Sequence, residues 1–349
     1  MRTLAVLTLR NEGAFLLDWL AHHITCGFDD FLVFSNDCAD GTDLMLDRLA
    51  AMGHLTHIRN DGPYHERGIQ FTALKTADRT DAVAQADWLL TVDIDEFVNI
   101  HVGAGTLADL YAALPRATAI TLTWRLFGNA GVVDYVDAPI TGQFTRCAPR
   151  TLTWPWRASF FKTLYRNDGT YAKLGVHRPR QPDRSRLPLS HWYDGSGRPL
   201  AEPFKTKRIF SDFGRSNHDL VQLNHYPLGA MQSYVLKASR GRAVHAQDRL
   251  GLDYWVERNF NTCEDKTILR FAARAEKVRA ELGRDAELQR LHKAAVAWRL
   301  TEFETLMQDE PNRSLFGRLL MTPSSRPLDP TEAKRIFAYG RAARASASD

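Results

Sequence analysis

Two carboxylates, Asp93 and Asp95, stand two residues apart directly after the apolar run Trp88-Leu89-Leu90-Thr91-Val92. In extended chain, side chains i and i+2 point to the same face, so the pair can converge on one divalent cation. A cation held there neutralises a diphosphate and stabilises it as a leaving group, which is Lewis-acid chemistry. Asp-x-Asp also arises by chance in surface loops. What gives this one weight is its place at the end of a strand read as buried. Two other polar clusters follow apolar runs in the same way: Arg10-Asn11-Glu12 after Leu4 to Leu9, and Ser35-Asn36-Asp37 after Phe31 to Phe34. Asn11 and Glu12 also have an ordinary role open to them, capping the helix that follows. Asp40 reads as turn-forming. Lys75 could reach a phosphate or simply stand on a solvated helix face.

The elements that must position these groups alternate. Short apolar runs at Leu4 to Leu9, Phe31 to Phe34, Leu55 to Ile58 and Trp88 to Val92 read as buried parallel strands. Between them, Ala14, Leu17, Leu20 and Ala21 recur at helical spacing, as do Leu44, Leu46 and Leu49 after the Asp40-Gly41-Thr42 turn. Phe71 to Ala86 reads as a further helix. Strand–helix alternation of this kind predicts a mostly parallel α/β sheet covered on both faces, with ligands bound beyond the carboxyl ends of its strands. The acidic Asp93 to Glu96 then lies in a loop at that edge. Further strands are expected at Ile120 to Trp124 and Phe160 to Tyr165. His22 and His23 read as packing residues on the first helix. Trp154-Pro155-Trp156 and His191-Trp192-Tyr193 could stack on sugar faces or be buried core. Residues 251–308 are rich in Ala, Leu, Arg and Glu at helical spacing. Their apolar positions, among them Leu282, Leu288, Leu291 and Leu300, need a partner surface. The expected division is 1–240 as the α/β domain and 241–349 as a helical region packed on it.

Several motifs, taken in order, resemble the N-terminal half of glycosyltransferase family 2-like and family 92-like proteins. They are Arg10-Asn11-Glu12, Leu17-Asp18-Trp19-Leu20-Ala21-His22-His23, Gly27-Phe28-Asp29, Asn36-Asp37-Cys38-Ala39-Asp40-Gly41-Thr42 and the later Asp93-Ile94-Asp95. The likeness returns at Lys162 to Arg166, Val176-His177-Arg178-Pro179 and Leu223-Asn224-His225-Tyr226. The resemblance implies a GT-A fold, Rossmann-like, that moves a sugar from a nucleotide-sugar donor, UDP-linked, to a glycan or lipid-linked acceptor. By it, Arg10, Asn11, Glu12 and Asp37 line the nucleotide pocket, with Asp93 as a further donor contact; Lys75 joins them as a donor-binding candidate on its own reading. Asp93, Asp95 and His225 hold a divalent metal. Imidazole suits Mn²⁺ better than Mg²⁺. Where the family carries Lys-Ser after His-Tyr, this chain has Pro227 to Ala230, so Lys237 or Arg240 must supply the positive charge. An inverting transferase also needs a base for the acceptor hydroxyl. His177, Asp194 and Glu202 are candidates that spacing does not separate, and His177 is the one carried forward.

The bulk properties agree with an enzyme of this kind. The chain has 349 residues, 44% hydrophobic and 25% charged, enough for one large core without disulfides or a structural metal. A net charge of +4 suits an anionic substrate or a membrane surface and is too small and scattered for nucleic acid. The four cysteines lack C-x-x-C spacing, which excludes a zinc ribbon and a disulfide framework. Without a signal-peptide core or a run of about 18 apolar residues, the expected location is cytoplasmic, at most peripheral to a membrane. A non-catalytic sugar-binding protein on the same fold is the chief rival function. A metal-dependent phosphotransferase of the haloacid-dehalogenase type is the other, but it wants Thr or Val two residues after the second Asp, where Phe97 stands.

Overall fold

The structure, a computed structural model, describes residues 1–64, 68–240 and 250–346. The strands read from the sequence form. β1 (Thr3–Leu9), β2 (Asp30–Ser35), β3 (Thr56–Arg59) and β4 (Trp88–Thr91) run parallel in the order β3-β2-β1-β4. Beyond β4 the sheet turns mixed. β5 (Glu96–Ile100), β6 (Ala119–Leu126), β7 (Phe161–Arg166), β8 (Trp192–Tyr193) and β9 (Val221–His225) complete nine strands. The order continues β4-β7-β6-β9-β5, with β8 added to β6. β7 is antiparallel to both neighbours and β5 is antiparallel to β9, while β6 and β9 are parallel.

Alternation along β1 decides what covers each face. Leu4 and Val6 pack with Leu32, Phe34, Ala73 and Leu74 on one side. Ala5, Leu7 and Leu9 pack with Leu16, Trp19 and Leu20 on the other. Helix α1 (Gly13–Cys26) and helix α2 (Thr42–Ala51) therefore cover one face and α3 (Ile69–Ala77) the other. α3 ends early. The helix expected over 71–86 is broken at 78–80, where Thr80 caps a separate short helix, Asp81–Gln85, by accepting from the Val83 N–H. A larger departure is β5, which the sequence reading missed. The acidic segment does lie at the carboxyl edge, but as a tight turn joining β4 to a strand that begins at Glu96 itself.

After β9 the chain is largely helical, as expected: α4 (Met231–Ser239), α5 (Ala272–Leu282), α6 (Ala286–Leu306) and two further helices, Glu310–Met321 and Pro330–Ser346. α5 and α6 lie across the outer side of α1. Leu282, Leu288, Leu291 and Ala295 join the same core as Leu7 and Trp19. Leu300 does not belong to that stripe. It is 47% exposed, and the neighbouring Arg299 is buried instead, over the rings of Phe15 and Tyr135. The 240/241 boundary borders residues 241–249, which lie outside the described residues. Cys26, Cys38, Cys147 and Cys263 are free thiols. Among the described residues no helix is long and apolar enough to cross a membrane.

Candidate active site

The carboxyl ends of β1, β2 and β4 open on a cavity of about 490 Å³, a volume typical of small-molecule sites. Its floor is the Asp93–Asp95 turn. The Glu96 N–H closes the turn onto the Asp93 carbonyl (3.0 Å), and the Tyr226 N–H, just past β9, binds the Asp95 carbonyl (2.8 Å). Glu96 lies fully buried beneath. Its carboxylate accepts from the Trp124 indole N–H (2.6 Å) and the Asp93 N–H (2.9 Å), while Trp19 donates to its carbonyl. Burial raises the Glu96 carboxyl well above its usual range against the pull of Lys162.

The two aspartates do not meet at one point. Asp93 accepts from Lys162 Nζ (2.8 Å) and Gln70 Nε2 (3.1 Å). Asp95 accepts from Lys237 Nζ (2.6 Å), and His225 Nε2 stands 3.7 Å from its other oxygen. Convergence of i and i+2 holds for extended chain. Here Ile94 and Asp95 sit in a turn, so each carboxylate takes its own lysine. Among the described residues no three His, Cys, Asp or Glu side chains gather closely enough to hold an ion. The expected donors Asp93, Asp95 and His225 therefore do not form one such group: His225 stands beside Asp95, while Asp93 is bound by Lys162 and Gln70.

The charges support one another. Burial alone would raise Asp95, but Lys237 and then His225 override it and hold the carboxyl far below its usual range. Burial would lower Lys162, yet Asp93 and Glu96 raise it. His225 is lowered by burial, and its buried Nδ1 has no hydrogen-bond partner among the described residues. His177 is pushed down to about 4, first by burial and then by the Lys162 charge. Its Nδ1 lies 3.0 Å from the Phe161 carbonyl. That bond requires the proton on Nδ1 and leaves Nε2 bare. Trp124 touches both histidines, tilted against His225 with ring centroids 4.2 Å apart and edge-on to His177 at 5.8 Å.

Of the residues expected from the sequence, Arg10, Glu12, Asp93, Asp95, His177 and His225 line the cavity, as do Lys237 and Arg240. Arg240 pairs with Glu12 and also donates to the Arg10 carbonyl, tying the first motif to the end of α4. Buried Arg10 Nε and Asn36 Nδ2 have no partner among the described residues. Such donors on a cavity wall call for a ligand or water.

Other expected residues lie elsewhere. Asn11 is left-handed (φ 54°), and its side chain accepts from the Ala39 N–H, so it shapes a turn beside the cavity. Asp37 is exposed and accepts from the Tyr64 hydroxyl. Lys75 is exposed on α3, more than a turn past Gln70, which takes the place at the cavity. Neither Asn11 nor Glu12 caps α1. Asp40 does so by accepting from the Gly13 N–H, and Thr42 accepts from the Glu12 N–H. Asp194 is buried in a turn held by Arg198, Glu202 is exposed, and Trp192 is core. Gln70, Trp124 and Lys162 were not foreseen as site residues.

No protein-family model matches the chain. Over 143 residues it is 25% identical to a glycosyltransferase family 92 protein of Oryza sativa subsp. japonica, covering 39% of this chain and 23% of that protein. Over 97 residues it is 27% identical to a glycosyltransferase family 92 protein of Ricinus communis, covering 27% of this chain and 16% of that protein. The chain therefore matches less than a quarter of the length of these curated relatives. The family 92-like resemblance read from the motifs is the one these comparisons return. Among solved structures it is similar to S. aureus TarS 1-349 in complex with UDP, with TM-score 0.31 and 14% identity over 48% of this chain and 47% of that one. It is also similar to glucosyl-3-phosphoglycerate synthase from Mycobacterium tuberculosis in complex with Mg²⁺ and UDP, with TM-score 0.30 and 14% identity over 55% and 67%.

Proposed function

We propose that this protein is an inverting glycosyltransferase that takes a sugar from a UDP-linked donor and passes it to a glycan or lipid-linked acceptor. The observation that carries the reading is the floor of the cavity, where Asp95 lies between Lys237 and His225 at the carboxyl edge of the sheet. Unpartnered Arg10 and Asn36 line the wall beside β1 and β2, where an α/β sheet binds nucleotides. Lys237 and Arg240 add positive charge for a diphosphate.

Asp95 and His225 also fit a divalent ion. Their donor atoms are 3.7 Å apart, and two metal–ligand bonds of about 2.0–2.2 Å bridge that distance. The orphaned Nδ1 of His225 leaves its ring without a competing anchor on that side. Phosphate oxygens and water would complete the shell. A metal there supplies Lewis-acid stabilisation of the departing diphosphate, and the imidazole favours manganese over magnesium.

His177 is the base in this reading. The acceptor oxygen bonds to the anomeric carbon as the bond from that carbon to the diphosphate oxygen breaks, and the hydroxyl proton passes to His177 Nε2. Lys162 and Glu96 hold Asp93 from below, so Asp93 serves the donor rather than the metal. In this reading 1–240 is the catalytic domain and 241–349 the helical region, which adds Tyr254 and Arg258 to the cavity wall. The setting is the cytoplasm, at a membrane face if the acceptor is a lipid.

One observation favours the non-catalytic alternative: both aspartates already have lysine partners. Calorimetric titration with UDP, with and without Mn²⁺, separates the two. The transferase reading expects metal to strengthen UDP binding and Asp95→Asn to remove that gain. Equal UDP affinity in both conditions, unchanged by D95N, would sink it.

A further inference from the structure

Among the described residues, three ion pairs account for every acidic side chain on the cavity wall: Glu12 with Arg240, Asp93 with Lys162, and Asp95 with Lys237. Among the same residues the wall has three more Lys or Arg cations, Arg10, Arg157 and Arg258. Arg10 ends β1, on the nucleotide side of the Asp93 turn. The other two belong to the opposite side. Arg157 precedes β7, next to Phe160, whose ring lies 5.4 Å from Trp124 on β6. Arg258 is close enough to His225, at the end of β9, for its charge to bear on the ring. From β1 to β6 the sheet takes three steps, through β4 and β7, which is about 14 Å at the usual strand spacing. Arg157 thus stands on the side of His177, whose ring lies 4.8 Å from the same Phe160 and where the acceptor hydroxyl must sit, and Arg258 joins it there through the Glu257 they share.

Their surroundings are those of a ligand site. Arg258 lies against the Tyr254 ring at 3.6 Å and is almost wholly buried. Arg157 is half exposed over Trp156. Both draw on one carboxylate, Glu257, at 3.4 Å from Arg258 and 4.0 Å from Arg157. One carboxylate between two guanidiniums leaves a net positive charge. It adjoins Trp124 and Phe160, whose partly open rings can face the C–H groups of a sugar.

We propose that the acceptor bears an acidic group, a phosphate or a carboxylate, on or next to the sugar that receives the transfer, and that Arg157 and Arg258 recognise it. This rests on the transferase reading above. Guanidinium matches either oxyanion through paired N–H donors. Glucose 6-phosphate and glucuronate are the probes for the two chemistries, with glucose as the neutral control. Each is titrated into the full chain saturated with UDP and Mn²⁺, so that the diphosphate site is already filled.

At least one acidic sugar should bind about tenfold more tightly than glucose. Which one does so tells phosphate from carboxylate. The preference should shrink severalfold in Arg157→Gln, whose side chain is exposed enough to change without disturbing the core, while UDP affinity stays the same. Arg258→Gln should shrink it too. Equal affinity for all three sugars overturns the proposal, as does a preference that survives both substitutions. Failure of the chain to bind UDP at all overturns the transferase reading, and this assignment with it.

Discussion

Lys237 and a metal ion would compete for the same carboxylate. The lysine is 2.6 Å from Asp95 and also donates to the Pro227 carbonyl, so it is held in place from two sides. Replacing it with methionine keeps the apolar stem and removes the competitor. Lys237→Met should tighten Mn²⁺ binding at saturating UDP by about tenfold, worth about 1.4 kcal/mol, as read by calorimetry. Unchanged or weaker Mn²⁺ binding would mean the lysine assists the ion instead of excluding it. His177 gives a second prediction. Its imidazole is lowered to about 4, so it is already neutral and able to accept a proton above that pH. The rate of transfer should be level from about pH 5 to 7 and fall only as the pH drops through 4. An unperturbed histidine would give a fall near 6.5 instead. Asp95 was legible in the sequence because it follows an apolar run, whereas His177, His225 and Lys237 came only with the family resemblance and the place where the chain departs from it. Lys162 was not legible as a site residue. It is one of 45 Lys and Arg residues and sits in an ordinary strand; only the partner strands reveal that its ammonium is fully buried under Asp93 and Glu96.

Helix α1 connects the first motif to the C-terminal helices. Gly13 begins it so close to α6 that an added Cβ would come within 2.9 Å of the Ala295 Cβ. On its far side Asp18 accepts from the Ile140 N–H in a nearly closed environment, and burial raises its carboxyl to about 6. A carboxyl raised in the folded state favours folding when protonated, so its contribution falls as pH rises from about 4 to 6. Asp18→Asn can still accept from Ile140 and carries no charge. It should raise stability at pH 7 by roughly 1–3 kcal/mol and change little at pH 4, as measured by denaturant unfolding. A stability loss at both values would show that the carboxylate is satisfied as an anion. Leu288 tests the same interface from α6. It is fully buried in the core shared with β1, and Leu288→Ala should cost about 2–5 kcal/mol. If the helical region folded alone, that loss would leave the melting of the sheet untouched. At this scale the sequence was most readable where period and length agreed, as in β1 and in α5 with α6. It failed at β5, whose first residue is itself the last of the acidic run. Nothing in Glu96-Phe97-Val98-Asn99-Ile100 alone separates a short edge strand from the end of a loop.

The site is assembled from the whole length of the chain. Glu12 and Arg240, which pair across the cavity, are 228 residues apart in sequence, and Asp95 and Lys237 are 142 apart. α1 is covered by helices that end only at Leu306. Contacts of such long range are slow to form and leave apolar surface open until they do. The Arg240–Glu12 pair has a consequence for synthesis. A ribosome makes Arg10, Asn11 and Glu12 long before their partner, which follows Glu12 by 228 residues. By then all nine strands of the sheet have been made but the cavity is not closed, and one side of α1 stays uncovered longer still, until α5 and α6 follow. A message cut short before the α4 codons therefore yields a chain that holds every strand of the sheet but lacks Lys237 and Arg240 on the cavity wall.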